Sequence, residues 1–169
     1  TLPWRVGKNS SNLLYYRVLS EFMLQQTQVK TVIPYFEKFT KKFCTLDSLS
    51  KASENKILKL WEGLGYYRRA RNLLATSKII VKKYNSILPR EIDEIKTLPG
   101  IGDYTSNVLA ALIYNTPTLA LDGNVKRVIS RILNKEVNKI NFKYFKNINS
   151  KNLFNTSRNS DFVEAMMEF

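Results

Sequence analysis

Two carboxylates carry the chemistry that this sequence offers, Glu21 and Asp122. Glu21 lies in a run with Leu19, Phe22, Met23 and Leu24, so a helix there surrounds its carboxyl group with apolar side chains. Burial raises a carboxyl pKa and makes a general acid that works near neutral pH. A solvent-facing glutamate on an amphipathic helix is the plain alternative. Asp122 opens Asp122-Gly123-Asn124-Val125, where a helix N-cap belongs. Capping alone accounts for an aspartate there, and the helix dipole keeps such a carboxylate ionised. One protonated and one ionised carboxyl group form the arrangement that breaks a glycosidic bond through an oxocarbenium-like transition state. Spacing leaves open whether the two face each other.

The chain has no histidine. That excludes Ser-His-Asp and Cys-His machinery and histidine-based zinc sites, and leaves acid–base work to carboxylates, lysine or tyrosine. Cys44 is the one cysteine, so these residues hold neither a disulfide nor a multi-cysteine metal site. The expectation is no metal and no cofactor bound by this chain. With 27 Lys+Arg against 14 Asp+Glu, a formal +13, a polyanionic partner is favoured over a basic membrane-surface role. No apolar run approaches the roughly 20 residues that span a bilayer. The chain opens on Thr1 rather than Met, which suggests that Thr1 is not a native start.

These groups need positioning, and the strongest turn signal is Leu98-Pro99-Gly100-Ile101-Gly102. Pro99 stops the preceding polar helix, and the glycines permit positive φ and close approach by another backbone. The amides of residues 101–104 are then expected to point, unpaired, at a nucleic-acid phosphate. An ordinary tight turn between two helices is the alternative. Gly63-Leu64-Gly65-Tyr66-Tyr67 forms a second glycine turn, and Gln25-Gln26-Thr27-Gln28 is too polar for a core. Gln26, Thr27, Leu64 and Tyr66 are polar or wedge-like groups of the kind that a base-evicting enzyme needs to fill the vacated stack, though each is unremarkable alone. Tyr104 is either a core aromatic or a site phenol.

Helical periodicity recurs along the chain and no strand pattern is convincing, so the fold class is all-α. The expected helices begin at Leu13, with Leu14, Val18, Leu19, Phe22 and Met23 on one face, and at Val29, running to Phe43 around Pro34. Thr45 and Ser53 are N-cap candidates for short helices near 46–51 and 54–61. A basic amphipathic helix over about 67–84 follows, then helices over 105–114, from 121 to about 133, and from Asp161. Residues 134–160, rich in Asn and Lys, read as a loop or linker.

Several of these stretches together resemble the MutY adenine DNA glycosylases. They are Leu2-Pro3-Trp4-Arg5, Ser20 to Val29, Val32 to Phe36, Trp61 to Tyr67, Ala70 to Leu73, Leu121 to Val128 and Phe162 to Glu168. Leu98 to Gly102 resembles the helix-hairpin-helix turn of the wider endonuclease III superfamily. The resemblance implies a two-lobed fold: a six-helix barrel over 11–116, and a second helical lobe from 1–10 and 117–169, incomplete at its C-terminus. It implies base-excision removal of adenine mispaired with 8-oxoguanine or guanine in double-stranded DNA, by a monomeric, cytoplasmic, nucleoid-associated bacterial enzyme. In that scheme Glu21 protonates adenine, Asp122 stabilises the sugar cation, Asn124 supports Asp122, and Tyr104 borders the site. Gly100, Ile101, Gly102, Gln26, Thr27, Leu64, Tyr66 and Lys126 then contact DNA.

The sequence also departs from that pattern. Tyr104 stands where the lyases of the superfamily carry a lysine nucleophile, which implies a monofunctional glycosylase, with Lys126 a nearby amine for a weak side reaction. The four cysteines of a 4Fe-4S cluster and the 8-oxoguanine-reading domain expected in a full-length parent are not among these residues. The chain is therefore expected to be a fragment rather than a cluster-free relative, with its own activity in question. A helix-hairpin-helix glycosylase of other specificity and a non-catalytic DNA-binding module are the rivals.

Overall fold

The computed structural model describes residues 2–139 and 158–168, without the side chains of Asn124, Met167 and Glu168. All regular structure among them is helical, as expected. Thr1–Ile101 and Gly102–Phe169 form two compact units.

The first unit is built around α1 (Leu13–Leu24), and this helix differs from the amphipathic one expected. Every residue from Arg17 to Met23 is buried, while Leu14 is only partly so. The helix packs on α2 (Val29–Lys42) and α5 (Arg68–Tyr84), so its central turns have no solvent face. α2 offers one stripe, Val32, Phe36 and Phe39, and carries Pro34 inside it. Phe36 receives the rings of Trp4 and Tyr16 edge-on at 5.4 and 5.1 Å, and Phe39 receives Trp61 at 5.8 Å. Burying such side chains contributes about 1.5–3 kcal/mol each.

Thr45 caps α3 (Leu46–Ser50) through a reciprocal pair with Ser48, both bonds 3.1 Å. Ser53 precedes α4 (Glu54–Trp61), but its side chain makes no capping bond. α5 packs on α1, α3 and α4 through Ala70, Leu73, Leu74 and Ile80, and leaves Arg68, Arg71, Lys78, Lys82 and Lys83 exposed. α6 (Ile92–Lys96) leads into the Pro99 turn.

In the second unit α7 (Asp103–Tyr114), α8 (Gly123–Ile132) and α9 (Asn159–Glu168) share a core that includes Val108, Leu112, Val125, Ile129 and Val163. Asn115, left-handed at the end of α7, ties α9 down. Its carbonyl accepts from Asn159 Nδ2 at 3.1 Å and its Oδ1 from the Ser160 amide at 3.0 Å. A short 3-10 turn covers Val137–Lys139. Most of the 134–160 stretch expected to be a loop lies outside the described residues.

Candidate active site and nucleic-acid interface

Glu21, three residues before the end of α1, is 6% exposed. Burial drives its pKa from 4.5 up to about 7, and Arg17, one turn earlier on the same helix, draws it partly back. Of the two sequence alternatives for this residue, the buried one holds. The physical reason is the fold around it: α1 is central, so even a polar residue on it leaves solvent. At neutral pH Glu21 is poised to hold or deliver a proton.

Three loops meet at one end of α1. The helix stops at Leu24, and Gln26 takes a left-handed conformation, φ 58°. Gln26 is exposed and Thr27 half-buried. In the glycine turn, Leu64 is buried at 6% exposure whereas Tyr66 is 64% exposed. Tyr66 is also left-handed, φ 48°, which is strained for a bulky aromatic residue. Both residues named from sequence as gap fillers or lesion readers, Gln26 and Tyr66, therefore sit in sparsely populated backbone regions, the sort that functional loops retain.

The third loop is the Pro99 turn. Thr76 Oγ1 donates to the Pro99 carbonyl at 2.8 Å and Gln25 Nε2 to the Gly100 carbonyl at 3.2 Å, fastening it to α5 and to the end of α1. Two expectations about this turn need correction. The Ile101 amide is not available to a phosphate, because it donates to the Leu98 carbonyl at 3.1 Å, and the Ile101 side chain is buried. Gly100, at φ 77°, does not simply make room for an outside molecule. A Cβ there would lie 2.6 Å from Asn72 Nδ2 and 2.8 Å from the Phe22 ring, inside the unit. Gly102, the N-cap of α7, is the exposed glycine with open space around a Cβ position.

In the second unit Asp122 caps α8, its Oδ1 accepting from the Val125 amide at 2.7 Å. Tyr104 is half-buried against the same core that holds Leu121 and Val125, and Lys126 is half-buried one turn into α8. Tyr104 is thus a core aromatic in part, and partly exposed. Asn124 is the second residue of α8.

Sequence reasoning passed over Arg69. The residue is 6% exposed, and its guanidinium is shared between two loops. Nη1 donates to the Met23 carbonyl at 2.8 Å, to Thr27 Oγ1 at 2.9 Å and to the Gln25 carbonyl. Nη2 donates to the Leu64 and Gly65 carbonyls, both at 3.2 Å. The cation also sits 5.5 Å from the Trp61 ring centre and 5.4 Å from that of Tyr66. Burial lowers its pKa, yet a guanidinium stays charged. The signal was in the helix register: Arg69 falls in line with Leu73, Thr76 and Ile80, a charge on the apolar stripe of α5.

A family model described as HhH-GPD superfamily base excision DNA repair protein matches residues 19–148. The adenine DNA glycosylase of Buchnera aphidicola subsp. Baizongia pistaciae is 47% identical over 153 residues, 88% of this chain and 42% of that protein. The adenine DNA glycosylase of Homo sapiens is 39% identical over 136 residues, 78% of this chain and 25% of that one. This chain therefore spans less than half the length of these curated relatives. Among solved structures, a thermostable thymine-DNA glycosylase superposes with a TM-score of 0.83 at 24% identity, over 100% of this chain and 77% of that one. A trapped endonuclease III–DNA covalent intermediate gives 0.70 at 23%, over 88% and 72%. The similarity to adenine DNA glycosylases that the motifs carried is borne out, and the chain belongs to the HhH-GPD superfamily of base excision DNA repair proteins.

Proposed function

We propose that this chain is the catalytic portion of an adenine DNA glycosylase, hydrolysing the N-glycosidic bond of adenine opposite 8-oxoguanine or guanine in double-stranded DNA. The single observation that carries the proposal is Glu21, buried in α1 with its pKa raised to about 7, on the helix whose end is tied to the loops that expose Gln26 and Tyr66. The named relatives, adenine DNA glycosylases of bacteria and mammals, support the choice of base.

Glu21 donates its proton to a ring nitrogen of an extruded adenine, so the bond from sugar C1′ to the base breaks with its electron pair leaving on the protonated ring. The Asp122 carboxylate stabilises the cation on the sugar, Asn124 supports it, and Tyr104 borders the reacting sugar. Water adds its oxygen to C1′ and gives up a proton to a carboxylate. With tyrosine rather than an amine at position 104, no Schiff base forms there and the reaction ends at hydrolysis; Lys126 is the amine left for a weak side reaction. Gln26 and Thr27 contact the opposite base, and Tyr66 fills the gap. Gly102 and the first turn of α7 take a phosphate, while Gly100, Ile101 and Leu64 shape the turns that present these groups. The proposed active form is a monomer. The function entails work on chromosomal DNA, hence a cytoplasmic, nucleoid-associated location. No helix among the described residues is long and apolar enough to cross a membrane.

A 4Fe-4S cluster takes four thiolates, and Cys44 is a single, exposed cysteine. No group of three or more His, Cys, Asp or Glu side chains able to hold a metal occurs among the described residues. The residues present do not fit such a cluster.

A single-turnover assay on duplexes carrying A:8-oxoguanine, A:G, A:T and T:G tests the proposal. Adenine release in that order, with thymine retained, is expected. Thymine release assigns another specificity, and tight binding without release of any base leaves a DNA-binding module.

A further inference from the structure

We propose that Arg69 is a positioning residue that locks the Gln26 loop and the Tyr66 turn into one unit, so that the opposite base is contacted and the gap is filled in a single concerted engagement. The inference deepens the function proposed above and rests on it for its consequence, though not for its geometry. Each loop carries one non-glycine residue at positive φ, Gln26 at 58° and Tyr66 at 48°. Such conformations are costly and persist where surrounding contacts over-determine them. Arg69 supplies those contacts on both sides at once. Nη1 takes carbonyls at the end of α1 together with Thr27 Oγ1, where a cation also answers the negative pole of the helix. Nη2 takes Leu64 and Gly65 carbonyls, and the Gly65 carbonyl accepts from Trp61 Nε1 at 2.9 Å as well. The guanidinium lies beside the Tyr66 ring, which is otherwise exposed. A planar fork with donors on two nitrogens bridges two loops; a lysine, with one nitrogen, retains the charge without the bridge. Among the described residues, Nε of Arg69 is buried with no hydrogen-bond partner, so the side chain is placed to serve the loops rather than its own full satisfaction.

The consequence is specific to extrusion. A duplex adenine must be pushed out and its gap held, whereas an unpaired adenine in a bubble needs little of either. Arg69→Lys and Arg69→Met in the full chain are compared with the parent in two measurements. In the first, amide hydrogen exchange is followed at Thr27, bonded to the Leu24 carbonyl, and at Leu64, bonded to the Trp61 carbonyl. Both amides are expected to exchange about tenfold faster or more in the variants, with α5 amides beyond Leu73 unchanged. Arg69→Lys keeps the measurement open should Arg69→Met fail to fold. In the second, single-turnover excision of adenine is expected to fall about tenfold or more from an A:8-oxoguanine duplex and less than about threefold from a bubble. Acceleration of one loop alone or of neither overturns the clamp, and equal losses on duplex and bubble reduce Arg69 to general stability. If the parent excises adenine from neither substrate, the functional proposal fails, and the exchange measurement still decides the clamp.

Discussion

Arg17 stands one helical turn before Glu21, and the two side chains are 8% and 6% exposed. Residues four apart share a helix face, so the cation acts on the carboxyl group through a poorly solvated medium. Burial is the larger influence and raises the Glu21 pKa, Arg17 lowers it, and the balance falls at about 7. The pair thus keeps a buried acid titrating at working pH rather than far above it.

Arg17→Met removes the opposing cation and leaves the burial. The alkaline limb of the excision rate is expected to move to higher pH, while Arg17→Lys holds it near its original place. A pH–rate profile of single-turnover excision for the three proteins checks this, and an unmoved limb in Arg17→Met contradicts the coupling.

Glu21 also leaves a signature in stability. Its folded pKa, about 7, lies above the ordinary 4.5, so below pH 4.5 both states hold the proton and nothing is lost. Between 4.5 and 7 only the native state holds it, and stability falls as pH rises, by up to about 3 kcal/mol once pH passes 7. Glu21→Gln lacks that titration. Its Tm is expected to match the parent at pH 4 and to exceed it by roughly 6–12 °C at pH 8, on the usual conversion for a chain of this size. Thermal melts across pH check the sign, and a pH-independent difference contradicts a buried acid.

The helices were legible from periodicity because long apolar stripes such as Val32, Phe36 and Phe39 name their own face. Thr45 was legible as a cap because its chemistry is local, and Asp122 for the same reason. Glu21 was legible only as a choice between two environments, since whether α1 has a solvent face depends on what packs around it. The Pro99 turn was legible as a turn, but not where its groups point. Gly100 meets Asn72 and Phe22, partners 28 and 78 residues away along the chain. Arg69 was missed because its partners, the carbonyls of Met23, Gln25, Leu64 and Gly65, carry no side-chain signal at all.

The two glycines of the Pro99 turn separate packing from the phosphate contact proposed for Gly102. Gly100→Ala places a Cβ against Asn72 and Phe22 at positive φ and is expected to cost about 2 kcal/mol or more of stability. Gly102→Ala enters open space at an ordinary φ and is expected to leave Tm within a degree or two. A larger residue there, Gly102→Val, is expected to weaken matched and mismatched DNA alike and to flatten the salt dependence of binding by about one phosphate's worth. Melts beside salt-titrated binding check both, and a loss confined to mismatched DNA speaks against a phosphate role.

Leu64 and Tyr66 share a turn but not a task. Leu64→Ala empties a buried position and is expected to cost about 2–5 kcal/mol of stability. Tyr66→Ala removes an exposed ring, so Tm is expected to hold while duplex excision loses about 1–3 kcal/mol of stacking and the preference for 8-oxoguanine over guanine falls. Excision kinetics on both opposite bases, run beside melts, check the division. A large drop in Tm for Tyr66→Ala with lesion preference intact overturns it.

If buried Glu21 delivers the proton that frees adenine, as proposed, single-turnover excision from an A:8-oxoguanine duplex between pH 5.5 and 9 reads that step. The rate is expected to fall as pH rises through about 7, the value to which burial lifts this carboxyl group, and Glu21→Gln is expected to bind the duplex yet release no adenine. Excision by Glu21→Gln at the parent rate, with the same pH profile, contradicts that role.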